Sequence, residues 1–474
     1  MDSLVGRNKE QQSLLQAFQS PESEMVAVLG RRRVGKTFLI KQTFKSIDFE
    51  FTGILHASKQ EQLATFTQKL SDFSGSSYKT KPKNWLEAFE LLKQYLKTKR
   101  KKSKKIIFID ELPWLDTPKS KFTDALGYFW NDYAIYNNVI LIICGSAASW
   151  MIKNIVNHKG GLHNRITKRI ELNPFTLLET QQFLEKQHIH FDEYAITQLY
   201  MVMGGIPFYL KEIQNGESVA QNIDRICFDK NGLLHSEFTN LFASLYTHFE
   251  THLTLIKALS IKWKGITREE IIKQSKLKDG GNITKVLEEL QRSSFITITY
   301  PFGKKKKDAL YRISDPYTIF YFHFIEGQKS VKQGMFINLM RSPKWSSWCG
   351  YAFENVCFYH LPQIEQKLGI QAIYSETSSY FFKGTVHKKG FQIDLLIDRA
   401  DKVITICEIK FYDTPFTITK EYAEQLRNKL ALFKEETKTK KMLFFALIST
   451  FGTTPNSYKN TLVQNEIKLN DIFT

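Results

Sequence analysis

The sequence predicts a multidomain α/β protein with separate sheets in its two halves. Its 474 residues suggest about three domains if a domain has roughly 150 residues. In the first third, apolar strand-like runs such as residues 25–29 alternate with helical patterns, which is typical of a parallel sheet. Towards the end of the chain, two strand-like runs lie within residues 392–411, and another helical pattern follows them.

Composition and charge narrow the classes of protein to consider. Hydrophobic residues make up 42% and charged residues 24%, as in ordinary globular domains. The net charge of +18 favours a polyanionic partner, either nucleic acid or an anionic membrane. No run reaches the roughly 18 apolar residues of a membrane span, and the N-terminus has no apolar signal core. The five cysteines are scattered without CxxC spacing, so we expect neither disulfides nor zinc, and a cytoplasmic location.

The first motif, at residues 30–37, follows an apolar strand and precedes a helical pattern. It reads G-x-x-x-x-G-K-[ST], the glycine-rich loop whose backbone N–H groups surround a nucleotide's phosphates. A lysine there reaches the β- and γ-phosphates, and the hydroxyl after it binds Mg²⁺. The motif therefore predicts ATP and Mg²⁺ as cofactors. The residues predicted to bind ATP are Gly30, Arg31, Arg32, Arg33, Val34, Gly35, Lys36 and Thr37.

Two later strands add polar side chains at their C-terminal ends. The strand-like run 106–109 is followed by Asp110 and Glu111, and the run 139–144 is followed by Ser146. We predict that Asp110 shares the Mg²⁺ with Thr37, that Glu111 orients the attacking water, and that Ser146 senses the γ-phosphate. The basic run 97–105 fits either a nucleic-acid patch or a solvated helix end, and the second interpretation is preferred.

The order of several short motifs resembles a known family. "LVGRNKEQQSLL", "GRRRVGKT", "FIDELPWL", "GSAASWM", "NRITKRIELNPF" and "GGIPFYL" follow one another over residues 1–330. Together they resemble the archaeal-type ATPases that stand between the AAA+ and STAND groups. The resemblance implies that Gly6 and Arg7 lie near the nucleotide, and that Pro207 packs beside the adenine. It also makes Arg165 a phosphate-sensing or finger arginine, although on the residues alone Arg165 fits a surface charge equally well.

The middle of the chain predicts a winged helix-turn-helix over residues 246–330, after a helical lid over residues 176–245. Three helical patterns are followed by two strand-like runs that a basic loop joins. In DNA-binding versions of this fold, lysines of the wing contact phosphates. The lysines predicted to do so are Lys304, Lys305, Lys306 and Lys307. Alternatively the module serves only as a lid or bracket between domains, since its third helix also carries Glu288 and Glu289.

The last third, residues 331–474, contains a pattern of charged residues on apolar strands. Asp394 lies in one strand-like run, and Glu408 and Lys410 lie one residue apart in the next. Alternate residues share a strand face, so Glu408 and Lys410 should point the same way while Ile409 enters the core. Two carboxylates can hold Mg²⁺, which lowers the pKa of an attacking water. A structural salt bridge of Lys410 with Glu408 or Asp394 is the alternative.

Residues 345–450 resemble the PD-(D/E)xK restriction-endonuclease-like superfamily, an α/β fold, and specifically the nuclease-like domain fused to archaeal-type ATPases. The resemblance implies a nuclease site made of Glu354, Asp394, Glu408 and Lys410, with Gln425 as an accessory residue. Here Ile393 stands where the literal pattern has proline.

The resulting hypothesis is an ATP-binding and ATP-hydrolysing switch that binds DNA and carries a Mg²⁺-dependent nuclease domain. Its domains are a P-loop ATPase core (1–175), the lid, the winged helix and the nuclease-like domain. We expect DNA as a partner, no membrane, and a homo-oligomer as an open option. The alternatives are an ATP-gated regulator with an inactive nuclease fold, a transcription regulator, and a membrane-peripheral ATPase.

Overall fold

A computed structural model of the protein describes residues 4–78, 81–99, 103–146, 148–156, 161–246, 248–328 and 334–474. The chain forms two compact units, one of residues 1–174 with 244–247 and one of residues 175–243 with 248–474. The boundary predicted at residue 330 lies outside the described residues. Within the ranges given above, no helix is long and apolar enough to cross a membrane.

The N-terminal unit alternates helices and strands. In chain order these are α1 (Asn8–Gln19), β1 (Glu24–Leu29), α2 (Lys36–Thr43), β2 (Phe49–Thr52), α3 (Lys59–Ser74), α4 (Trp85–Lys97), β3 (Lys105–Asp110), α5 (Phe122–Asp132), β4 (Val139–Cys144), α6 (Ala148–Met151) and β5 (Lys168–Glu171). The strands form one parallel sheet in the order β2-β3-β4-β1-β5. The predicted parallel sheet of a P-loop ATPase core is confirmed.

Burial on both faces explains why these strands read as continuous apolar runs. Every residue of β3 and β4 is buried, as expected of a parallel sheet between helix layers. One layer holds an aromatic cluster in which the rings of Phe66, Trp85 and Phe122 meet edge to face. All strands point the same way, so the loops after β1, β3 and β4 emerge at one edge of the sheet.

The C-terminal unit begins with helices and a small hairpin. Its first elements are α7 (Leu177–Glu185), α8 (Glu193–Met203), α9 (Pro207–Leu210), α10 (Val219–Ile223), α11 (Leu233–Leu245), α12 (Glu250–Leu259), α13 (Arg268–Ser275), α14 (Gly281–Arg292), β6 (Ile296–Thr299), β7 (Leu310–Ile313) and α15 (Pro316–Phe320). Strands β6 and β7 pair antiparallel. Three helices and a hairpin thus follow one another over 250–313, and their assignment as a winged helix stays a prediction.

A mixed sheet with helices on it completes this unit. Its elements are α16 (Met335–Met340), α17 (Pro343–Tyr359), α18 (Leu361–Lys367), β8 (Ser375–Gly384), β9 (Lys389–Arg399), β10 (Val403–Lys410), α19 (Lys420–Thr437), β11 (Met442–Ser449), α20 (Ser457–Leu462), β12 (Asn465–Lys468) and α21 (Leu469–Ile472). The sheet order is β12-β11-β10-β9-β8, with β8, β9 and β10 antiparallel and β10, β11 and β12 parallel. The α/β character is confirmed, and the restriction-endonuclease-like assignment stays a prediction.

One buried histidine joins the first helix of this unit to α17. The Leu177 N–H donates to His360 Nε2 at 2.9 Å, and His360 Nδ1 lies 2.8 Å from the Val356 carbonyl oxygen. Because Nε2 accepts, the proton of the neutral ring is on Nδ1 and points to Val356. Burial lowers the pKa of His360 to about 4, so the ring is uncharged at neutral pH.

The basic run 97–105 contains two lysines that serve the fold. The Lys104 ammonium donates to the carbonyl oxygens of Ala17, Ser20 and Glu22 at 3.0, 2.7 and 2.6 Å, just where α1 ends. The Lys105 ammonium donates to the Asn137 carbonyl oxygen at 3.1 Å. At these two positions the nucleic-acid interpretation of the run is wrong, because the ammonium groups are buried against backbone carbonyls. Residues 100–102 lie outside the described ranges.

Replacing Lys104 with methionine should destabilise the N-terminal unit. The change leaves three carbonyl oxygens without their donor, which costs about 1–3 kcal/mol of unfolding free energy. Urea unfolding of Lys104→Met and of Lys97→Met, an exposed lysine of α4, measures the difference at equal net charge. Equal midpoints for the two variants would contradict a structural role.

Candidate functional site

The glycine-rich loop lies between β1 and α2, and its backbone explains the glycines. Gly30 has φ +147° and Gly35 has φ +92°, a region that L-residues with side chains rarely adopt. A Cβ atom on Gly30 would lie 2.4 Å from the Leu172 carbonyl oxygen. The loop therefore requires glycine at its first position, because the chain passes directly against the end of β5.

Lys36 begins α2 and turns back into the loop. Its ammonium group donates to the carbonyl oxygens of Gly30 and Arg31 at 2.9 and 3.1 Å, and the residue is 6% exposed. Of the other loop residues, Arg31 and Val34 are buried, and Arg33 has φ +73°. The cation is thus held at the centre of the loop, where the motif requires it for phosphate binding.

The predicted magnesium residues are adjacent. The Thr37 hydroxyl donates to Asp110 Oδ2 at 2.6 Å, and the Cys144 thiol donates to Asp110 Oδ1 at the same distance. Burial and the Asp110 carboxylate raise the pKa of Cys144 well above its usual value, so it remains a thiol. A hydroxyl beside a buried carboxylate is an oxygen donor set that fits Mg²⁺.

Ser146 contacts the carboxylate that was predicted to orient water. Its backbone N–H and its hydroxyl both donate to Glu111 Oε2, at 3.0 and 2.8 Å. Glu111 has φ +46° and follows directly on β3. The structure therefore brings Asp110, Glu111 and Ser146 to the edge that carries the loop, and Ser146 holds Glu111 in place.

The residues whose nucleotide roles are implied only by the resemblance lie in several different places. Arg7 follows Gly6, is buried, and donates to the Asn173 carbonyl oxygen at 2.5 Å, one residue beyond the Leu172 contact of Gly30. Arg165 is exposed, with its N–H bonded to the Leu162 carbonyl oxygen. Pro207 begins α9 in the other unit. The nucleotide roles of Gly6, Arg7, Arg32, Arg165 and Pro207 stay predictions, as do those of the other loop residues and of Asp110, Glu111 and Ser146.

In the C-terminal unit, the four residues of the predicted nuclease site line one cleft with a volume of about 1500 Å³. Glu354 comes from α17, Asp394 from β9, and Glu408 and Lys410 from β10. The antiparallel register pairs Cys407 with Leu395, the neighbours of Glu408 and Asp394 in the chain, so these two carboxylates come from adjacent strands.

Glu408 is surrounded by donors. Its carboxylate accepts from Lys410 Nζ at 3.2 Å, Lys429 Nζ at 2.7 Å and the Tyr422 hydroxyl at 2.9 Å. Burial acts to raise the pKa of Glu408, but Lys429 and Lys410 outweigh it and the pKa is lowered. Glu408 and Lys410 share a strand face while Ile409 is buried, as predicted. The salt bridge considered as an alternative is present.

Glu354 and Asp394 have no such partners. In the described part of the chain, no hydrogen-bond donor and no cation within 4.0 Å pairs with either carboxylate. Burial, followed by the charge of Asp394, raises the pKa of Glu354 to about 8. Burial and the charge of Glu408 raise the pKa of Asp394 to about 6. Nearby cations thus lower the pKa values of these two acids less than burial and the neighbouring carboxylates raise them.

The donor set of the cleft suits magnesium. Among the residues that the structure describes, no three His, Cys, Asp or Glu side chains form a ready metal cage. Mg²⁺ does not need one, because it usually keeps several waters and binds one or two carboxylates plus substrate phosphate. Asp394 and Glu408, on neighbouring strands, are the carboxylates placed to hold it.

Sequence reasoning missed two residues that line this cleft, Lys264 and Lys429, and one that contacts Glu408, Tyr422. Lys429 and Tyr422 lie on α19 and bond to Glu408, and Lys264 lies between α12 and α13 and lines the cleft. Lys429 follows the exposed Gln425, which also lines the cleft, by four residues on one helix face. That spacing is a usable signal, whereas nothing in the sequence around Lys264 relates it to Asp394.

The predicted wing lysines lie on the hairpin between β6 and β7. Lys304, Lys305 and Lys307 are exposed, and Lys306 begins a short turn over Lys306–Asp308. At the base of the hairpin, the Phe302 N–H donates to the Ser379 carbonyl oxygen of β8 at 3.0 Å. The hairpin is therefore bonded to the edge of the C-terminal sheet, which fits the bracket interpretation as well as the DNA-binding one.

Comparison with known proteins identifies the N-terminal part. Residues 4–213 match a family described as an ATPase domain predominantly from Archaea. This part of the chain is an archaeal-type ATPase domain, and to that extent the resemblance drawn from the motifs is confirmed.

One protein of related sequence and two solved structures are similar to a larger share of the chain. The uncharacterized protein MJECL04 of Methanocaldococcus jannaschii is 23% identical over 415 residues, which are 86% of this chain and 88% of that protein. The Walker-type ATPase PABY2304 of Pyrococcus abyssi has a TM-score of 0.47 at 16% identity, covering 67% of this chain and 95% of its own. The Aeropyrum pernix ORC2 protein, in ADPNP–ADP complexes, has a TM-score of 0.42 at 14% identity, covering 67% and 93%.

The contribution of Glu354 and Asp394 to the free energy of unfolding should fall as the pH rises from about 4 to about 8. In that window folded Glu354 and Asp394 retain protons that the unfolded chain has released, because their folded-state pKa values are about 8 and about 6. Glu354→Gln removes the larger contribution, roughly 1.4 kcal/mol per pKa unit. Buried His360, whose pKa is lowered from 6.5 to about 4, acts on the stability of the whole protein in the opposite direction, so the proteins are compared with one another. From pH 4 to pH 8 the urea midpoint of Glu354→Gln should rise relative to that of the wild type or of Glu424→Gln, an exposed control on α19. Parallel curves for all three would refute the shift.

Proposed function

We propose that this protein is an ATP-driven switch that binds DNA and cleaves it at a Mg²⁺-dependent site on its C-terminal sheet. The family match supports the ATPase domain, and the nuclease activity is what we add to it. One observation carries that addition: among the described residues, no hydrogen-bond or ion-pair partner is found for the mostly buried carboxylates of Glu354 and Asp394, in the cleft that also holds Glu408 and Lys410.

At the ATP site, each residue has a distinct task. Lys36 would exchange its bonds to the Gly30 and Arg31 carbonyl oxygens for bonds to the β- and γ-phosphates. Thr37 and Asp110 would hold Mg²⁺, which neutralises phosphate charge when bound. Glu111 would orient the attacking water, and its bonds to the Ser146 backbone and hydroxyl keep its carboxylate aimed.

At the acidic site, Asp394 and Glu408 would hold Mg²⁺, which lowers the pKa of a bound water and polarises the phosphate. Lys410 shares a strand face with Glu408 and is near enough to move from that carboxylate to the substrate phosphate. Glu354 is protonated at neutral pH while the cleft lacks a divalent cation, because its pKa is about 8. Cation binding would make it release that proton, so it can then accept one from water.

DNA binding is the proposed use of the surplus charge. The net charge of +18 and the exposed lysines Lys304, Lys305 and Lys307 support contact with phosphates by a winged helix. The third helix, α14, contributes less, because Glu289 is paired with His252 at 2.9 Å and with Lys285 at 3.8 Å. The exposure of Arg165 agrees with a finger arginine acting on a neighbouring copy in a cytoplasmic homo-oligomer.

A second candidate is an ATP-gated regulator that binds DNA without cutting it. It is favoured by the ion pairs of Glu408 with Lys410 and Lys429. These pairs satisfy one of the two proposed metal ligands within the protein, so they compete with a cation for it.

The ATPase is tested with two substitutions in the loop and at the end of β3. Lys36→Ala should weaken ATP binding at least tenfold, because a buried cation at the phosphates is lost. Glu111→Gln should keep ATP binding and lower the hydrolysis rate by about 10²-fold or more. Fluorescent-nucleotide titration and phosphate release measure the two effects. Equal binding and equal turnover in Glu111→Gln and wild type would exclude Glu111 as the water-orienting residue.

The nuclease is tested by removing one proposed ligand of the metal. Asp394→Asn should abolish Mg²⁺- or Mn²⁺-dependent cleavage of duplex and single-stranded DNA, while ATP hydrolysis is retained. Asp413→Asn, an exposed acid that lines the same cleft, is the matched control and should cut normally. DNA that the wild type retards on a gel but leaves intact, with ATP and either metal, would favour the second candidate.

A further inference from the structure

The loop between α12 and α13 is fixed on both sides of Lys264. Before it, the Trp263 ring stacks on Tyr351 of α17, with interplanar angle 3° and centroids 6.1 Å apart. After it, Ile266 and Tyr311 of β7 exchange two backbone hydrogen bonds of 2.9 Å. Between them, Gly265 has φ +91°, and a Cβ there would meet the Tyr311 carbonyl oxygen at 3.0 Å. Lys264 is thus held in place by the fold rather than carried on a free loop.

The ammonium group of Lys264 lies between the two elements that carry the unpartnered acids. It donates to Gln392 Oε1, and it lies 5.7 Å from the centre of the Tyr351 ring. Gln392 precedes Asp394 by two residues on β9, and Tyr351 precedes Glu354 by three on α17, so each shares a face with its acid. Lys264 also lines the cleft, and its charge opposes the rise in the pKa of both acids.

Lys264 differs in its partners from three other lysines of the cleft, Lys388, Lys410 and Lys429. Lys410 and Lys429 are engaged with Glu408, and Lys388 is engaged with Glu435 and Glu436 at 2.7 Å. Within the described residues, no carboxylate lies within 4.0 Å of the Lys264 ammonium group. Lys264 therefore forms no salt bridge with a described residue, because the oxygen that it contacts belongs to the neutral amide of Gln392.

We propose that Lys264 is a phosphate-binding residue of the acidic site, which is therefore built from the helix-and-hairpin segment 248–328 as well as from the C-terminal sheet. The inference rests on the proposed nuclease function and adds to it the residue that holds a nucleic-acid phosphate beside the carboxylates. The hydrogen bond to Gln392 keeps the ammonium group in position until a phosphate oxygen replaces the amide oxygen.

Two effects of opposite direction follow from this arrangement. A fixed positive charge beside Asp394 and Glu354 repels a divalent cation, so its removal should tighten metal binding. The same charge attracts a phosphate, so its removal should weaken DNA binding. A lysine that only stabilised the fold would not produce this pair of effects, because local disorder weakens both interactions.

The test compares Lys264→Met, Lys264→Arg and Lys262→Met in the full chain. Lys262 is an exposed lysine of the same loop, paired with Glu270 at 2.6 Å, so the control has the same net charge. Calorimetry without nucleotide or DNA measures Mn²⁺ affinity, and an Asp394→Asn sample identifies the heat from the acidic site. We expect Lys264→Met to bind Mn²⁺ about two- to tenfold more tightly, and the other two to match the wild type.

The second readout is the salt dependence of binding to a fluorescent duplex without divalent cation. Each lost phosphate contact lowers the slope of log K against log salt concentration by roughly one. Lys264→Met should show that decrease, Lys264→Arg should restore it, and Lys262→Met should keep the wild-type slope.

Each outcome decides one of the two proposals. An unchanged slope in Lys264→Met, an equal decrease in Lys262→Met, or weaker binding of both Mn²⁺ and DNA would overturn the role of Lys264. A wild type that binds no Mn²⁺ at Asp394, or that never cleaves, would instead overturn the nuclease. The slope measurement still decides whether Lys264 contacts phosphate in that case.

Discussion

Negative charge in a mostly buried cleft is the constraint on which the C-terminal unit depends. Carboxylates lose most of their hydration there, and three of them converge from α17, β9 and β10. Lysines of β10 and α19 pair with Glu408 and lower its pKa, whereas burial raises the pKa of Glu354 to about 8 and that of Asp394 to about 6. A globular domain built for stability alone would have little reason to keep that arrangement, since apolar residues of the same size fill such space at lower cost.

In the ATPase domain, by contrast, Lys36, Asp110 and Glu111 all have hydrogen-bond partners. Its sheet is parallel, so Asp110, Glu111 and the glycine-rich loop emerge at one edge, and backbone carbonyl oxygens hold Lys36 there. At that edge Asp110 is bonded to Thr37 of α2, and Glu111 is bonded to Ser146 beyond β4. These residues follow strands of one sheet, whereas the acidic cleft takes side chains from two helices, two strands and a loop.

That difference explains how much could be predicted from the sequence. The loop residues and Asp110 follow from local spacing, because strand, loop and helix are consecutive in the chain. Asp394, Glu408 and Lys410 were also found, since two adjacent strands set their geometry. Lys264 was not, because it reaches the cleft through a stack of Trp263 on α17, a contact between residues 88 positions apart that no periodicity encodes. The uncompensated burial of Glu354 likewise depends on packing rather than on spacing.

His360 connects α7 to α17 through hydrogen bonds that do not depend on pH near neutrality. Both ring nitrogens are used, one by the backbone of α7 and one by α17, and the ring takes no proton in the physiological range. These hydrogen bonds are therefore kept when the pH changes near neutrality. A histidine paired with a carboxylate would instead change its charge in that range. Glu354 lies six residues before His360 on α17, so this bond fixes the start of α7 beside the end of the helix that carries the acid. The contact between these two helices therefore stays the same over the pH range in which Glu354 itself gains or loses its proton.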